Sequence, residues 1–430
     1  MDTLVLEPID RVRGAVRVPG SKSLSNRLLL LAALARGSTR LRHLLASDDV
    51  ARMREALAAL GVRTEAETED TLRVDGAGGP FPRPGADPLQ LRLGNAGTAM
   101  RPLAAVLTLG EGHFELDGDP RMRERPIGPL VDALRTLGAR IDYLLAEGFP
   151  PLALTGTGLA GGTVEIDGTL SSQFVSALLL AAPLARTPVT LLRRGELVSD
   201  PYIEITRRCM ATFGVAVAWP EPRRLEVPVA AYESPGELPV EGDASSASYF
   251  LAAGAIAGGP VRVHGVGTES MQGDVAFADV LERMGARIRR GPDWLEAERG
   301  TLRGVDVDLN AIPDAAMTLA TTALFAEGPT RIRGVANWRV KETDRIRAMA
   351  TELRKLGATV EEHEDGLSLT PPAPLRPARI ATYDDHRMAM CFALAALGDA
   401  PVTIEDPGCV RKTYPGFFDD LRRLCARDGP

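Results

Sequence analysis

A repeated pattern of helix, glycine and strand is the feature that most restricts the fold of this chain. Five stretches with the periodicity of an amphipathic helix end in Leu, Met or Phe, with Gly next and a strand-like run after it. Glycine at that place is the usual left-handed helix stop. The glycines are Gly61, Gly138, Gly214, Gly285 and Gly357, spaced 71 to 77 residues apart. A sixth helix is predicted at 417–425.

A second set of helices alternates with the first and is apolar nearly all round, so these helices are predicted to be buried. They are expected at 28–35, 99–109, 174–185, 247–257, 315–326 and 388–397. Six inner and six outer helices with short alternating strands predict an α/β fold of six units that each contain βαβ. A coincidence of helix lengths does not explain why both sets share one interval.

Small, polar or charged residues precede every inner helix. The amino end of a helix carries N–H groups without partners and a positive partial charge, so it favours anions. Six such ends facing one cleft would attract a ligand with several negative charges. Ordinary helix capping is the alternative at each stretch taken alone. The stretches are 21–27, 94–98, 171–173, 242–246, 313–314 and 384–387.

The choice of basic residues singles out four positions. Of 50 basic residues only four are lysines, namely Lys22, Lys341, Lys355 and Lys412. Ammonium and guanidinium groups are not equivalent chemically, so lysines kept in an arginine-rich chain are candidates for specific roles. Lys355 is the expected exception, a solvated residue on the polar side of a helix.

Composition excludes several classes of function. The chain of 430 residues has 45% hydrophobic and 25% charged residues, as in a soluble protein of two or more domains. A net charge of −7 argues against a nucleic-acid partner. Four scattered cysteines and five scattered histidines show no metal-ligand spacing, so no metal is expected. Without a leader or a membrane-spanning run, the chain is predicted to be cytoplasmic.

Two glycine- or arginine-rich stretches are candidates for anion binding. In Leu93–Pro102, Asn95 and Gly97 precede a helix, and a ligand can approach the backbone closely at a glycine. Three arginines in the proline-bounded loop 119–126, among them Arg125, are typical of a phosphate or carboxylate clamp. A tight turn and a solvated loop are the respective alternatives.

The stretch 336–345 contains the densest group of candidate catalytic residues. Lys341 and Arg345 would share one face of a helix if that helix began here, with Glu342 between them. A carboxylic acid flanked by cations and shielded from water can transfer protons. A surface ion-pair patch is the alternative. Asp314, at the start of an inner helix, is either an N-cap or a base.

Taken together, these stretches closely resemble the 5-enolpyruvylshikimate-3-phosphate (EPSP) synthase family from end to end. The motifs that carry the resemblance are Pro19-Gly-Ser-Lys-Ser, Leu93–Pro102, Arg121–Pro126, Glu241-Gly-Asp-Ala-Ser-Ser-Ala, Asn337–Arg345 and Asp385-His-Arg-Met-Ala-Met390. The resemblance implies two similar domains of three βαβαββ units, with hinge closure over substrate. It places the domains at 21–239 and at 1–20 with 240–430.

The implied reaction transfers the enolpyruvyl group of phosphoenolpyruvate to the 5-hydroxyl of shikimate 3-phosphate, releases phosphate and needs no cofactor. By resemblance, shikimate 3-phosphate is held by Lys22, Ser23, Arg27, Ser171, Ser172, Gln173, Ser199, Tyr202, Asp314, Asn337 and Lys341. Phosphoenolpyruvate is held by Lys22, Asn95, Gly97, Arg125, Gln173, Arg345, Arg387 and Lys412. The implied catalytic residues are Asp314 as the base at the hydroxyl, Glu342 as acid and then base at the methylene carbon, and Lys22.

Three further expectations follow from the resemblance. Gly97 and Pro102 match the form of the site that glyphosate inhibits. Asp385 adds a negative charge beside Arg387, and whether that charge weakens the anion site or pairs with Arg387 is left open. A monomer without nucleic-acid or membrane partners is expected.

Two other functions compete with this interpretation. An enzyme of the same fold that acts on a UDP-sugar lacks the Ser-Lys-Ser and Ser-Ser-Gln features and commonly carries a reactive loop cysteine. A non-catalytic anion sensor or an enzyme acting on nucleic-acid ends is less compatible with the net charge of −7 and with intact Asp314 and Glu342.

Overall fold

The computed structural model describes residues 2–81, 87–195 and 198–425. The chain forms two compact units. Gly20–Val240 make up one, here called the continuous unit. The other, called the discontinuous unit, combines Met1–Pro19 with Glu241–Pro430. No helix in the described ranges has an apolar run long enough to cross a bilayer.

Strands and helices alternate along the chain. The strands are β1 (Thr3–Leu6), β2 (Val12–Arg17), β3 (Ser38–Arg42), β4 (Arg63–Ala66), β5 (Leu72–Asp75), β6 (Leu89–Arg92), β7 (Glu111–Asp117), β8 (Arg140–Tyr143), β9 (Leu152–Thr157), β10 (Gly162–Asp167), β11 (Val189–Arg194), β12 (Ala218–Glu221), β13 (Arg224–Val227), β14 (Glu237–Pro239), β15 (Gly258–His264), β16 (Arg287–Arg290), β17 (Trp294–Glu298), β18 (Asp306–Asp308), β19 (Thr330–Arg333), β20 (Thr359–His363), β21 (Gly366–Thr370), β22 (Ala378–Ile380) and β23 (Val402–Glu405). The helices are α1 (Lys22–Leu34), α2 (Asp48–Ala59), α3 (Gly97–Val106), α4 (Gly128–Thr136), α5 (Ser172–Ala181), α6 (Asp200–Thr212), α7 (Ala244–Ala257), α8 (Phe277–Met284), α9 (Pro313–Thr322), α10 (Arg345–Lys355), α11 (His386–Ala393) and α12 (Phe417–Cys425).

Six small mixed sheets repeat one design. In five of them a parallel pair of strands is extended by two antiparallel strands, as in the order β6-β7-β9-β8. The others are β14-β3-β5-β4, β10-β11-β13-β12, β2-β15-β17-β16 and β18-β19-β21-β20. The sixth, β22-β23-β1, has three strands. The predicted six-fold α/β repeat is therefore confirmed.

Three of these sheets take a strand from a distant part of the sequence. β14 lies parallel to β3, with Leu238 opposite Leu41, and so completes the sheet that begins the continuous unit. β2 lies parallel to β15, and β1 pairs with β23. The amino-terminal segment thus belongs to the discontinuous unit because its backbone hydrogen bonds are satisfied there.

The two predicted classes of helix are both present. All residues of α7 and α11 are buried, as expected for helices without a polar face. The amphipathic helices α2, α4, α6, α8 and α10 stop at the predicted glycines, whose φ angles are +85°, +97°, +83°, +111° and +98°. Only glycine adopts such angles without strain, so each of these helix ends requires a glycine and the repeat can be recognised from the sequence.

Candidate active site

The inner helices pack side by side within each unit, and their amino ends lie together. In the continuous unit the Asn26 side chain of α1 donates to the Thr98 hydroxyl of α3 at 2.6 Å. In the discontinuous unit Arg387 of α11 donates to Asp314 of α9 at 2.9 Å and to the Tyr249 hydroxyl of α7 at 3.2 Å. These contacts bring the starts of α1 and α3 together in one unit and the starts of α9 and α11 together in the other. Whether all six face one cleft stays a prediction.

Arg27 is a buried cation of the continuous unit, with 7% of its surface exposed. Its guanidinium donates to the hydroxyls of Thr206 (2.8 Å) and Ser176 (3.3 Å) and to the carbonyls of Ser23 (2.9 Å) and Tyr202 (3.3 Å). All four acceptors are neutral. Burial lowers the pKa of Arg27 from its ordinary value, because removal from water disfavours the charged form.

Arg27 also lines a small cavity of about 10 Å³ together with Gly97, Gln173 and four other residues. Gly97 is tightly enclosed. A Cβ atom there would lie 2.4 Å from Arg101 Nη1, 3.0 Å from Arg125 Nη2 and 3.2 Å from Gln173 Oε1. Glycine at this position therefore lets two arginines and an amide converge on the start of α3.

Arg125 and Lys22 have different partners. Arg125 donates to the carbonyl of Asn95 at 3.0 Å and to its side-chain oxygen at 2.8 Å. Lys22, at the start of α1, lies 3.4 Å from the carboxylate of Asp49, which is buried in the first turn of α2. Asp49 was not predicted from the sequence, since an acidic residue in a first turn is ordinary.

The Ser171-Ser172-Gln173 stretch forms the predicted helix cap. The Ser171 hydroxyl accepts from the backbone N–H of Gln173 at 3.2 Å, and Ser172 is buried. Ser199 precedes α6 in a left-handed conformation with φ of +56°, and Tyr202 follows in the first turn. The structure thus brings Ser199 and Tyr202 to one helix start and joins Tyr202 to Arg27.

Arg345 organises the charged cluster of the discontinuous unit. Its side chain is 1% exposed and binds both oxygens of Asp385, at 2.7 and 3.1 Å. It also donates to Glu342 at 2.9 Å and to Asp314 at 3.1 Å. These carboxylates raise the pKa of Arg345 above its usual range even though burial lowers it. Asp385 thus pairs with the side chain of Arg345, and it accepts from the backbone N–H of Arg387 at 3.0 Å.

Asp314 is surrounded by cations. Besides Arg345, it accepts from Arg387 at 2.9 Å and lies 3.8 Å from Lys341 Nζ. Burial raises the pKa of this carboxyl, but the three cations outweigh burial and hold it well below its usual range. Asp314 is therefore ionised at neutral pH.

Two sequence interpretations of this cluster are wrong. The helix α10 begins at Arg345, because the side chain of Asp344 caps it by accepting from the backbone N–H of Arg347. Lys341 and Glu342 precede that helix, and Lys341 follows a 3₁₀ turn at Ala336–Val340. Asp314 is not an N-cap, since Ile312 occupies that position.

Asn337 and Lys412 are buried in the same unit, each in a 3₁₀ turn. The turn of Asn337 contacts α10, and the turn of Lys412 contacts α11. Tyr249 was missed by the sequence analysis. The available signal was a tyrosine within a helix predicted to be buried, because a buried tyrosine hydroxyl needs a partner.

One predicted anion-binding helix start is closed by the chain itself. At α7 the Asp243 side chain accepts from Ser246 N–H at 2.7 Å, and Gln272 accepts from Ala244 N–H at 3.2 Å. Within the described parts of the chain, no group of three or more His, Cys, Asp and Glu side chains is arranged to hold a metal ion.

Comparison with known proteins places this chain in a family. The family model described as EPSP synthase (3-phosphoshikimate 1-carboxyvinyltransferase) matches residues 6–421. The chain is 59% identical to the 3-phosphoshikimate 1-carboxyvinyltransferase of Vibrio cholerae, covering 99% of this chain and 100% of the relative. The enzyme of that name from Serratia proteamaculans is also 59% identical, with 99% of each chain covered.

Solved structures of related enzymes also resemble this chain. EPSP synthase from Acinetobacter baumannii superposes with a TM-score of 0.80 at 27% identity over 98% of each chain. The enolpyruvyl transferase NikO from Streptomyces tendae, at 21% identity, shares the fold with a TM-score of 0.77 over 99% of this chain and 98% of its own. This chain therefore belongs to the EPSP synthase family of 3-phosphoshikimate 1-carboxyvinyltransferases.

Proposed function

We propose that this chain transfers the enolpyruvyl group of phosphoenolpyruvate to the 5-hydroxyl of shikimate 3-phosphate and releases phosphate. The observation that carries the proposal is the family match over residues 6–421. The two clusters of charged residues supply a chemical reason, because both substrates are polyanions and cations at helix starts favour such ligands.

The continuous unit provides most of the groups for shikimate 3-phosphate. Arg27 is buried among neutral oxygens, so an arriving phosphate gains a charge-assisted contact without displacing a carboxylate. Lys22 lies five residues before Arg27 at the start of the same helix, and its compact ammonium adds a point charge. The proposed set is Lys22, Ser23, Arg27, Ser171, Ser172, Gln173, Ser199 and Tyr202, completed by Asp314, Asn337 and Lys341 of the discontinuous unit.

Phosphoenolpyruvate takes cations from both units. Gly97 leaves room for Arg125 and Gln173 at the start of α3, so a carboxylate or phosphate can approach the backbone there. Arg345 and Arg387 form the second group, oriented by Asp385 and Tyr249. The proposed set is Lys22, Asn95, Gly97, Arg125, Gln173, Arg345, Arg387 and Lys412.

The reaction proceeds by addition and then elimination. In the addition, the 5-hydroxyl oxygen bonds to C2 of phosphoenolpyruvate, Asp314 accepts the hydroxyl proton, and Glu342 gives a proton to the C3 methylene carbon. In the elimination, Glu342 takes a proton back from C3, the C2–O bond to phosphate breaks, and the proton held by Asp314 leaves with the phosphate. Proton transfer by positioned carboxyl groups typically accelerates a reaction about 10²- to 10⁴-fold.

The tetrahedral intermediate between these steps carries the charges of both substrates. Lys22 and the arginines are fixed before the reaction, so they stabilise that charge without reorganising. We further propose that the chain acts in the cytoplasm as a monomer, without cofactor or nucleic-acid partner. Its net charge of −7 supports the absence of a nucleic-acid partner.

Phosphate release in the purified protein tests the proposal. Release is expected only when shikimate 3-phosphate and phosphoenolpyruvate are both present. Release from phosphoenolpyruvate with a UDP-sugar acceptor, or from phosphoenolpyruvate alone, would contradict it. Glyphosate is expected to inhibit by competing with phosphoenolpyruvate, because Gly97 and Pro102 match the sensitive form of the site.

A further inference from the structure

The turn that precedes α11 has an unusual backbone. The N–H of Asp385 donates to the carbonyl of Thr382 at 2.9 Å, and both residues between them, Tyr383 and Asp384, have φ of +55°. Turns with two positive φ angles strongly favour glycine and asparagine. A left-handed tyrosine is strained, so contacts from elsewhere must hold the turn in place.

Glu352 provides those contacts. This carboxylate on α10 is fully buried, with 0% exposure, and the proposed reaction does not use it. It accepts from the Tyr383 hydroxyl at 2.7 Å and from the Ala381 N–H at 3.1 Å. Lys355 balances its charge at 2.6 Å. Lys355 is thus exposed, as expected from the sequence, and its ammonium also pairs with this buried carboxylate.

Helix α10 therefore holds the segment 381–387 at two points. Arg345 and Glu352 are seven residues apart, which places them two turns apart on one face of the helix. Arg345 binds Asp385, while Glu352 binds Ala381 and Tyr383. Arg387 lies two residues beyond Asp385, and its backbone N–H donates to the Asp385 side chain at 3.0 Å.

We propose that Glu352 is a positioning residue for Arg387, and hence for the capture of phosphoenolpyruvate. This inference rests on the proposed function, which assigns Arg387 to that substrate. Without the carboxylate, the turn 382–385 relaxes toward negative φ angles, and the start of α11 shifts with it. Glu352 is not among the residues assigned to either substrate, and the residues assigned above to shikimate 3-phosphate lie on other segments.

The test is the Michaelis constant of each substrate in Glu352→Gln, which removes the negative charge and keeps the size. The KM for phosphoenolpyruvate is expected to rise about tenfold, the scale of one lost hydrogen bond to a charged group. The KM for shikimate 3-phosphate should stay within about twofold. Glu361→Gln, on the exposed side of β20, is the matched control and should leave both values unchanged.

A purely structural role would give a different result. Loss of folded protein lowers the apparent kcat and leaves both KM values where they were. Tyr383→Phe removes one hydroxyl from a side chain that is 42% exposed, so its folding should be unaffected. It is expected to raise the KM for phosphoenolpyruvate about threefold, and to add little in the double variant because both changes remove the same contact.

The inference is overturned if both variants keep the KM for phosphoenolpyruvate within twofold of the parent, or if both KM values rise together. Arg387→Lys separates this failure from failure of the proposed function. If Arg387→Lys raises the KM for phosphoenolpyruvate and Glu352→Gln does not, only the role of Glu352 is wrong. If the parent chain releases no phosphate from the two substrates, the proposed function itself is wrong.

Discussion

The arginines assigned to the substrates have opposite kinds of partner in the two units. In the continuous unit Arg27 and Arg125 donate to hydroxyl, carbonyl and amide oxygens. In the discontinuous unit Arg345 donates to the carboxylates of Asp314, Glu342 and Asp385. The first arrangement leaves positive charge for a ligand, whereas the second balances three carboxylates against Lys341, Arg345 and Arg387.

This difference suggests a division of work. An anion that reaches Arg27 adds a favourable charge pair, so we infer that the continuous unit contributes chiefly to affinity. An anion that reaches Arg387 must share it with Asp314, so affinity gains less there. In return, that unit keeps carboxyl groups fixed among cations, where proton transfer can be arranged. Substitutions in the two units should therefore affect different kinetic constants.

The largest effect is expected from the carboxyl groups of the discontinuous unit. Asp314→Ala or Glu342→Gln should lower kcat by about 10² to 10⁴ because each removes one proton-transfer step. The KM for phosphoenolpyruvate should not rise in Asp314→Ala, since a competing carboxylate has been removed from Arg387. Steady-state kinetics measure both constants.

Asp399→Ala, at an exposed position of the same unit, is the control for these substitutions. A near-normal kcat in Asp314→Ala or in Glu342→Gln would remove that residue from the mechanism.

The next effect concerns Arg27. Arg27→Lys keeps the charge, but an ammonium cannot reproduce the four hydrogen bonds that the planar guanidinium of Arg27 donates. The KM for shikimate 3-phosphate should rise about 10- to 100-fold, with a smaller change in kcat. Arg36→Lys, an exposed arginine after the same helix, is the control. If kcat falls while that KM stays constant, the division of work between the units is wrong.

A smaller change is expected at Gly97. The Cβ of Gly97→Ala would lie 2.4 Å from Arg101, 3.0 Å from Arg125 and 3.2 Å from Gln173. The end of Arg101 must therefore move away, and the other two side-chain ends must shift by tenths of an ångström. The KM for phosphoenolpyruvate should rise up to about tenfold, and glyphosate should inhibit more weakly. Gly416→Ala, which meets no atom within 4 Å, is the control. Unchanged kinetics in Gly97→Ala would show that phosphoenolpyruvate does not approach the start of α3.

The smallest effect is on stability as a function of pH. Because the pKa of Asp314 is held below its usual range, its ionised form stabilises the fold above about pH 4, the ordinary pKa of aspartate. This contribution decreases as the pH falls toward the lowered pKa. Urea unfolding of the parent and of Asp314→Asn should therefore differ by about 1 kcal/mol near pH 6 and by less near pH 3. An equal difference at both pH values would contradict the claim that Lys341, Arg345 and Arg387 lower the pKa of Asp314.

Much of the fold could be predicted because its signals are local. Glycine stops, apolar helices and their common interval reveal six units, and the structure has six sheets. The strands that close the sheets could not be predicted this way. β14 pairs with β3 across about 200 residues, and β2 with β15 across a similar distance, and no local pattern encodes such pairing.

The candidate site was predicted as a set of residues but not as a set of contacts. The helix start at Arg345 was misplaced because Asp344 caps it, and a cap depends on one side-chain geometry. Asp49 and Tyr249 were missed because each looks ordinary within its own helix. Their roles arise from partners 27 and 138 residues away in the sequence, Lys22 and Arg387.

Incorporation of solvent deuterium tests whether Glu342 delivers a proton to C3 of phosphoenolpyruvate. The reaction is run in D₂O with both substrates, and the vinyl protons of the product are followed by proton NMR. Deuterium is expected in the product methylene group with the parent chain, and both incorporation and turnover should be lost in Glu342→Gln. A product formed at the normal rate with no deuterium would contradict this role of Glu342.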